Sequence, residues 1–278
     1  MTRMSRNPVS SRGRPALVAA LALVAAAALA TPAAAQQAGS EDMNLLHDRC
    51  IAYVRQHPQE GLDKAKIWRE QGGGFWADHC VATALFVLRD FAGAGKRFEA
   101  LATAMMAMPA SQRAVTLDQA GQAWLDANEF ARAKADFDAA IALNGEDPDL
   151  LIDRAEAYAA MQKYWEAIDD LNRCVELAPK RAEPYIYRAS AYRSVDALDL
   201  AFEDVERGLA LAPDSALGLL ERGNLRRLKG DTAGARKDWQ RVAKLEPQGP
   251  AATAAKINLD RLGSKDAKPE SPPPGKLP

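Results

Sequence analysis

Histidine and cysteine, the side chains on which much hydrolytic and metal chemistry depends, are scarce: three of each in 278 residues. No serine or cysteine nucleophile has a histidine spaced to serve it, and the many carboxylates fall on a periodic polar face, so catalysis is not expected. Aromatic residues make up 6% of the chain and alanine is abundant, which suits helices packed closely on small side chains better than strands. There is no long apolar run. The longest, Ala16 to Ala30, has 15 residues, whereas a membrane span needs about 20. Basic residues show no excess (36 Lys and Arg against 37 Asp and Glu) and no clustering of the kind that neutralises phosphates, so nucleic acid is not an expected partner. The one glycine run, Gly72-Gly73-Gly74, lacks the Lys-Ser/Thr and preceding strand of a phosphate loop, and reads as a helix-ending linker.

What is present begins with an export signal at 1–35. Arg3, Arg6, Arg12 and Arg14 precede the apolar stretch, Thr31-Pro32 breaks it, and Ala33-Ala34-Ala35 offers small residues for cleavage before Gln36. No cysteine follows to carry a lipid and no Arg-Arg pair marks the twin-arginine route, so a cleaved, periplasmic protein is expected, with an uncleaved anchor as the alternative. After cleavage no membrane span is left. The mature chain has 32 basic residues (36 less the four arginines) against 37 acidic ones, a net charge near −5.

The chain repeats itself every 34 residues. Pro179, Pro213 and Pro247 are so spaced, as are Gly121, Ala155, Ala189 and Gly223, and Ala133, Ala167, Ala201 and Ala235. Trp124, Tyr158, Tyr192 and Arg226 form another series, and Phe137, Leu171, Val205 and Trp239 a fifth. Blocks therefore run 75–108, 114–147, 148–181, 182–215 and 216–247, the first keeping Ala82, Leu85, Ala94 and Phe98 and separated from the next by Pro109 to Arg113. A small residue on the first helix of each block admits the second helix, a large one on the second fills the gap beside it, and proline ends the pair. Leu45 to Gln56 and Gly61 to Gln71 form a divergent N-terminal hairpin within 41–74. Residues 248–263 carry apolar residues at helical spacing, as a capping helix would. Residues 264–278, rich in Lys and Pro, form an expected disordered tail.

Small-x-x-aromatic, Ala-x-x-x-large and a closing proline at this period resemble the tetratricopeptide repeat (TPR), over Phe75 to Pro247. Gly145 and Met106 stand where the closing proline would be, and Arg226 replaces the last aromatic. The resemblance implies an all-α, right-handed α-solenoid of antiparallel helix hairpins. It implies a scaffold whose first helices line a concave groove for a protein or peptide, with no cofactor. At the groove positions stand Asp118, Gln122 and Asp126, then Asp149, Asp153 and Glu156, then Tyr187, Ser190 and Arg193, and finally Asn224 and Arg227. Receptors of this family that clamp a terminal carboxylate use Lys and Asn there; the acids here do not carry that function over. The expected groove is acidic in the middle, basic toward its C-terminal end, and suited to a peptide with basic residues. Such a scaffold would suit envelope assembly; the alternatives are a cell-wall glycan surface built on Trp76 and Phe86, or a metal protein or enzyme.

Two polar series run in step with the repeat. Arg154, Arg188 and Arg222 precede the small residue of the first helix, and Asp136, Asp170, Asp204 and Asp238 precede the large residue of the second. Matching periods predict an Arg–Asp ladder between helices, with two-pronged geometry open to the guanidinium. Cys174 occupies a position held elsewhere by Ala140, Gly208 and Val242, and is expected to be buried and inert. Cys50 and Cys80 fall on the first helices of neighbouring hairpins, where they form a disulfide, remain free, or join His47 and His79 in a Cys2His2 metal set.

Overall fold

The structure, a computed structural model, describes residues 32–145 and 147–263, with side chains from Asp42 onward. The expected tail at 264–278, and the expected signal as far as residue 31, lie outside the described residues. The chain divides into two units, Met1–Asp42 and Met43–Pro278. The described part of the first is the opening of helix α1 (Pro32–Gln56).

In the second unit the rest of α1 is followed by α2 (Pro58–Trp68), and a π-helical turn at Arg69–Gly73 leads into α3 (Gly74–Val87). Then come α4 (Phe91–Ala104), α5 (Ala110–Asp126), α6 (Phe130–Asn144), α7 (Pro148–Ala160) and α8 (Tyr164–Leu177). The array ends with α9 (Glu183–Ser194), α10 (Leu198–Leu211), α11 (Ala216–Leu228), α12 (Thr232–Leu245) and α13 (Pro250–Gly263). Among the described residues there is no strand. From α2 onward each helix packs on its neighbour in sequence, and α5 also meets α7, α9 meets α11, and α11 meets α13. The product is an all-α solenoid of helical hairpins, with the first helices of successive hairpins side by side. Pro109 precedes α5 as its N-cap, so Ala110 to Arg113 extend that helix by a turn.

The turn inside each hairpin is the same device five times over. Arg89, Asn128, Gln162, Asp196 and Gly230 all take positive φ, between 60° and 87°. The amide after each reaches back across the helix end: Asp90 to Leu85, Glu129 to Trp124, Lys163 to Tyr158, Ala197 to Tyr192, and Asp231 to Arg226. These are Schellman closures, which satisfy carbonyls that a helix end would otherwise leave bare. Asp90 and Asp231 then cap the second helix by accepting from Gly93 and Gly234 at 3.0 and 2.8 Å.

The core follows the repeat. Ala133, Ala167, Ala201 and Ala235 have no exposure, and neither have Phe137, Leu171, Val205 and Trp239. The helix pairs are so close that a Cβ placed on Gly121 would lie 2.5 Å from the Phe137 ring. Gly223 stands in the same relation to Trp239. The rings of Phe137 and Trp239 thus stand against Gly121 and Gly223, while Leu171 and Val205 stand against Ala155 and Ala189, and Phe98 shares its core with Ala82.

Candidate interaction face

The first helices touch through polar side chains, one junction at a time. Between α3 and α5, His79 Nε2 lies 2.9 Å from Gln119 Oε1. Between α5 and α7, the Gln122 amide donates to Asp118 at 3.0 Å and to Asp153 at 3.4 Å. Between α7 and α9, Tyr187 stands near Asp153 and Glu156, and burial together with those charges holds its phenol above the usual tyrosine range. Between α9 and α11, Arg193 grips Glu221 through Nε and Nη2 at 2.5 and 3.2 Å. Between α11 and α13, Asn258 donates to Asn224 at 2.9 Å.

This series changes the expected charge pattern. The C-terminal end of the face is not an open basic patch, because Arg193 is neutralised by Glu221, a fully buried carboxylate, and Ser190 is buried beneath them. Asn224 is occupied by the capping helix, while Arg227 lies half-buried on α11. The middle keeps its acidity. Asp118 and Asp153 are both shifted up, chiefly by burial and, for Asp118, by the Asp153 carboxylate beside it. Two half-buried carboxylates bridged by one amide oppose each other's ionisation. Oδ1 of Asp118 is buried without a hydrogen-bond partner. Asp149 is 70% exposed and reaches Arg181 at 2.7 Å, and Asp126 and Glu156 complete the acidic stretch.

Behind the face runs the ladder. Arg154 clasps Asp170 with two bonds of 2.8 and 2.6 Å, Arg188 clasps Asp204 with two of 2.7 Å, and Arg222 clasps Asp238 at 3.0 and 2.8 Å. Each guanidinium also donates to the preceding repeat, where Asp138, Asn172 and Glu206 accept at 2.9, 2.8 and 3.3 Å. One arginine thus ties three helices, and its pairing with a carboxylate only 5–10% exposed holds the guanidinium charged. The acceptors in the preceding repeat were not among the expected residues; their signal was an acid or amide 16 residues before every ladder arginine. Arg226, where the last aromatic would be, adds a second clasp on Asp238 at 2.7 Å.

Asp136 stands outside the ladder. The position of its arginine is Ala120, fully buried, and the preceding-repeat acceptor is Glu99. Glu99 thus adds its charge beside Asp136, and the Arg132 charge offsets it only in part. Asp136 is 8% exposed with an unbonded Oδ2, and burial with Glu99 nearby pushes its carboxyl up to about 7. Glu99 instead accepts from Trp124 Nε1 at 2.9 Å, and the Arg132 guanidinium lies 4.2 Å from the Trp124 ring centre.

Cys50 and Cys80 are joined in a disulfide, with Cα atoms 6.3 Å apart, tying α1 to α3. Neither sulfur is then a thiolate, so a Cys2His2 metal set has no sulfur ligands. The third cysteine, Cys174, is buried, and burial raises its thiol to about 11, far from the range of a reactive thiolate. Trp76 and Phe86, the residues available for sugar stacking, pack against His47 and Phe75, and against Phe91. The exposed aromatic is Trp165, 61% accessible, on a second helix away from this face.

No family model and no curated protein matches the chain. Solved helical-repeat structures do. A crystal structure of MamA is 18% identical, covers 72% of this chain and 100% of its own, and superimposes with a TM-score of 0.51. MamA 41-end from Desulfovibrio magneticus RS-1 is 20% identical, with coverage of 68% and 98% and a TM-score of 0.51. The C-terminal part of a TPR repeat-containing protein from Cytophaga hutchinsonii is 13% identical, with coverage of 77% and 85% and a TM-score of 0.57. The fold is thus that of a helical-hairpin repeat protein, and among such proteins it is the tetratricopeptide-repeat fold.

Proposed function

We propose that this protein is an exported scaffold whose first-helix face holds a peptide or protein segment bearing lysine or arginine side chains. The observation that carries the reading is the half-buried Asp118–Asp153 pair bridged by Gln122, joined on the same face by Asp149, Glu156 and the Tyr187 ring. The buried carboxylates Asp170, Asp204 and Glu221 are clasped by arginines of the chain itself, and on this face Asp149 pairs with Arg181 while keeping most of its side chain exposed. A cationic side chain laid across this stretch would meet carboxylates and an aromatic ring together, a favourable setting for an ammonium or guanidinium. Solenoid faces of this kind offer an extended surface rather than a closed pocket.

Export and a place in envelope assembly belong to the same proposal. The arginine-led apolar segment supports export, and the Cys50–Cys80 disulfide supports an oxidising compartment such as the periplasm. Fractionation of cells expressing the full chain tests this part, and protein found reduced in the cytoplasm would sink it.

Binding is tested by fluorescence anisotropy with a labelled decapeptide rich in Lys and Arg, and with its Glu-substituted counterpart. The basic peptide is expected to bind more weakly as salt rises. Reversing Asp149, Asp153 and Glu156 to Lys is expected to raise its Kd by about tenfold or more and flatten that salt dependence. Equal binding of both peptides, or an unchanged Kd in the folded triple variant, would overturn the acidic-face reading.

A further inference from the structure

The N-terminal end of the face is closed by a hydrogen-bonded chain that none of the preceding roles uses. His47 Nε2 on α1 lies 2.9 Å from His79 Nδ1 on α3, and His79 Nε2 lies 2.9 Å from Gln119 Oε1 on α5. With the Gln119 oxygen as acceptor, His79 carries its proton on Nε2, leaves Nδ1 as an acceptor, and receives the Nε2 proton of His47. Burial favours the neutral form of both rings, and this is the arrangement that joins two neutral imidazoles. Three helices are joined by two neutral imidazoles and one amide, with His79 and Gln119 on the first-helix face and His47 laid over them.

We propose that this chain is a pH-operated latch, which holds α1 down on the first repeat when both imidazoles are neutral and frees it when they are protonated. One added proton can be shared between the rings. A second puts an N–H on each of the two facing nitrogens, and the bond becomes a repulsion between like charges. Freed, α1 would uncover His79, Trp76 and Gln119 and lengthen the accessible face by one repeat. The Cys50–Cys80 bond, one turn from His47 and next to His79, keeps the freed helix attached, so that opening is reversible.

The surroundings oppose protonation. Phe75 and Trp76 from α3 and Phe98 from α4 pack against the rings, and Gln119 from α5 is neutral. The charge facing the pair is Asp48 on α1, 3.8 Å from His47 Nδ1 and with its side chain 80% exposed, too well solvated to hold an imidazolium in place. Burial first, and His79 second, lower His47 to about 4, and burial lowers His79 as well. The sign follows. Groups depressed from an ordinary value near 6.5 stabilise the closed state above that pH, and this contribution is lost as pH falls from 6.5 toward 4.

The test is amide hydrogen exchange of the oxidised full chain at pH 7.5 and 5.0, corrected for intrinsic rates, with His Cε1 proton shifts followed by NMR in parallel. Protection across residues 45–56 is expected to fall by about tenfold or more, while α7 to α12 hold theirs. His47→Gln, which keeps a donor to His79 but cannot titrate, is expected to reduce that fall, and His47→Gln with His79→Gln to abolish it. Loss of protection at pH 5.0 that is equal in the double variant, or spread evenly over the array, would overturn the latch. So would a wild-type chain whose protection at 45–56 does not change, a reading that needs no variant to fold.

Discussion

The repeats from Pro148 onward and the two before them reach the same helical pairing by different means. In the later three, a half-buried arginine between helices clasps its own repeat and the one before, and the rung is copied at Arg154, Arg188 and Arg222. In the earlier two the corresponding positions are Val81 and Ala120. There the chain relies on rings, on the Cys50–Cys80 bond and on the neutral His47–His79–Gln119 chain. The difference teaches that the repeat requires small-against-large packing in every copy, while the polar tie is optional and replaceable. It also separates risk: the arginine rungs are insensitive to mild pH change, whereas the N-terminal ties respond to pH and redox conditions.

Breaking a rung should have the largest effect on stability. Arg188→Ala strands Asp204, 9% exposed at its side chain, in a site that supplies no other clasp. The expected cost is about 3–5 kcal/mol in urea unfolding, because an uncompensated buried charge is left behind. Arg222→Ala should cost clearly less, since Arg226 still donates to Asp238 at 2.7 Å. Equal losses in the two variants would show that the second clasp contributes nothing. Replacing Arg188 and Asp204 together by Met and Leu should recover most of the loss, as paired apolar replacement of buried ions often does.

An intermediate effect, opposite in sign, is expected where the rung lacks its arginine. The Asp136 carboxyl is raised to about 7 in the folded chain against an ordinary 3.8, so the folded state holds its proton longer than the unfolded one. Stability is then lost as pH rises from about 4 to 7 and stays lower above that range. Asp136→Asn removes the charge facing Glu99 and should stabilise at pH 8 by about 2–4 kcal/mol, while changing little at pH 3.5, where the acid is already neutral. Thermal or urea unfolding at both pH values reads this directly. A gain of the same size at pH 3.5 would assign it to packing rather than to charge.

Much of this architecture is legible in the residues, and the parts that are not have identifiable reasons. The hairpins are legible because small and large residues recur at fixed distances, and the Arg–Asp pairs because two series share that period. What periodicity conceals is each place where one copy departs from the rest. Glu221 lies at a face position, yet it is fully buried under Arg193, and so the basic end of the face is not open. Asn258 belongs to the capping helix, outside the repeat, and no register comparison brings it to Asn224. Asp136 has its place in the acidic series, and only Ala120, 34 residues before Arg154, discloses that its partner is missing. The positive-φ residues show the same limit from the other side. Asn128, Asp196 and Gly230 suit that backbone, but Arg89 and Gln162 occupy it by position alone.

The smallest effect tests whether packing alone can be exchanged between the two regions. In the second block Gly121 faces Phe137, and in the third Ala155 faces Leu171, both large residues fully buried. A methyl on Gly121 would come within 2.5–2.8 Å of the Phe137 ring, so that ring or its helix must move. Gly121→Ala gains helix propensity, about 1 kcal/mol at most, against an overpacking cost of about 1–3 kcal/mol, and the net should be a modest loss. Phe137→Leu alone should also destabilise, because it leaves part of the ring's volume unfilled. Together they recreate the Ala155–Leu171 pair, and the double variant should be more stable than the sum of its parts by about 1 kcal/mol. A double-mutant cycle in urea measures that coupling. Strict additivity would mean that the small and large residues are not chosen against each other, and that helix spacing is set elsewhere in the repeat.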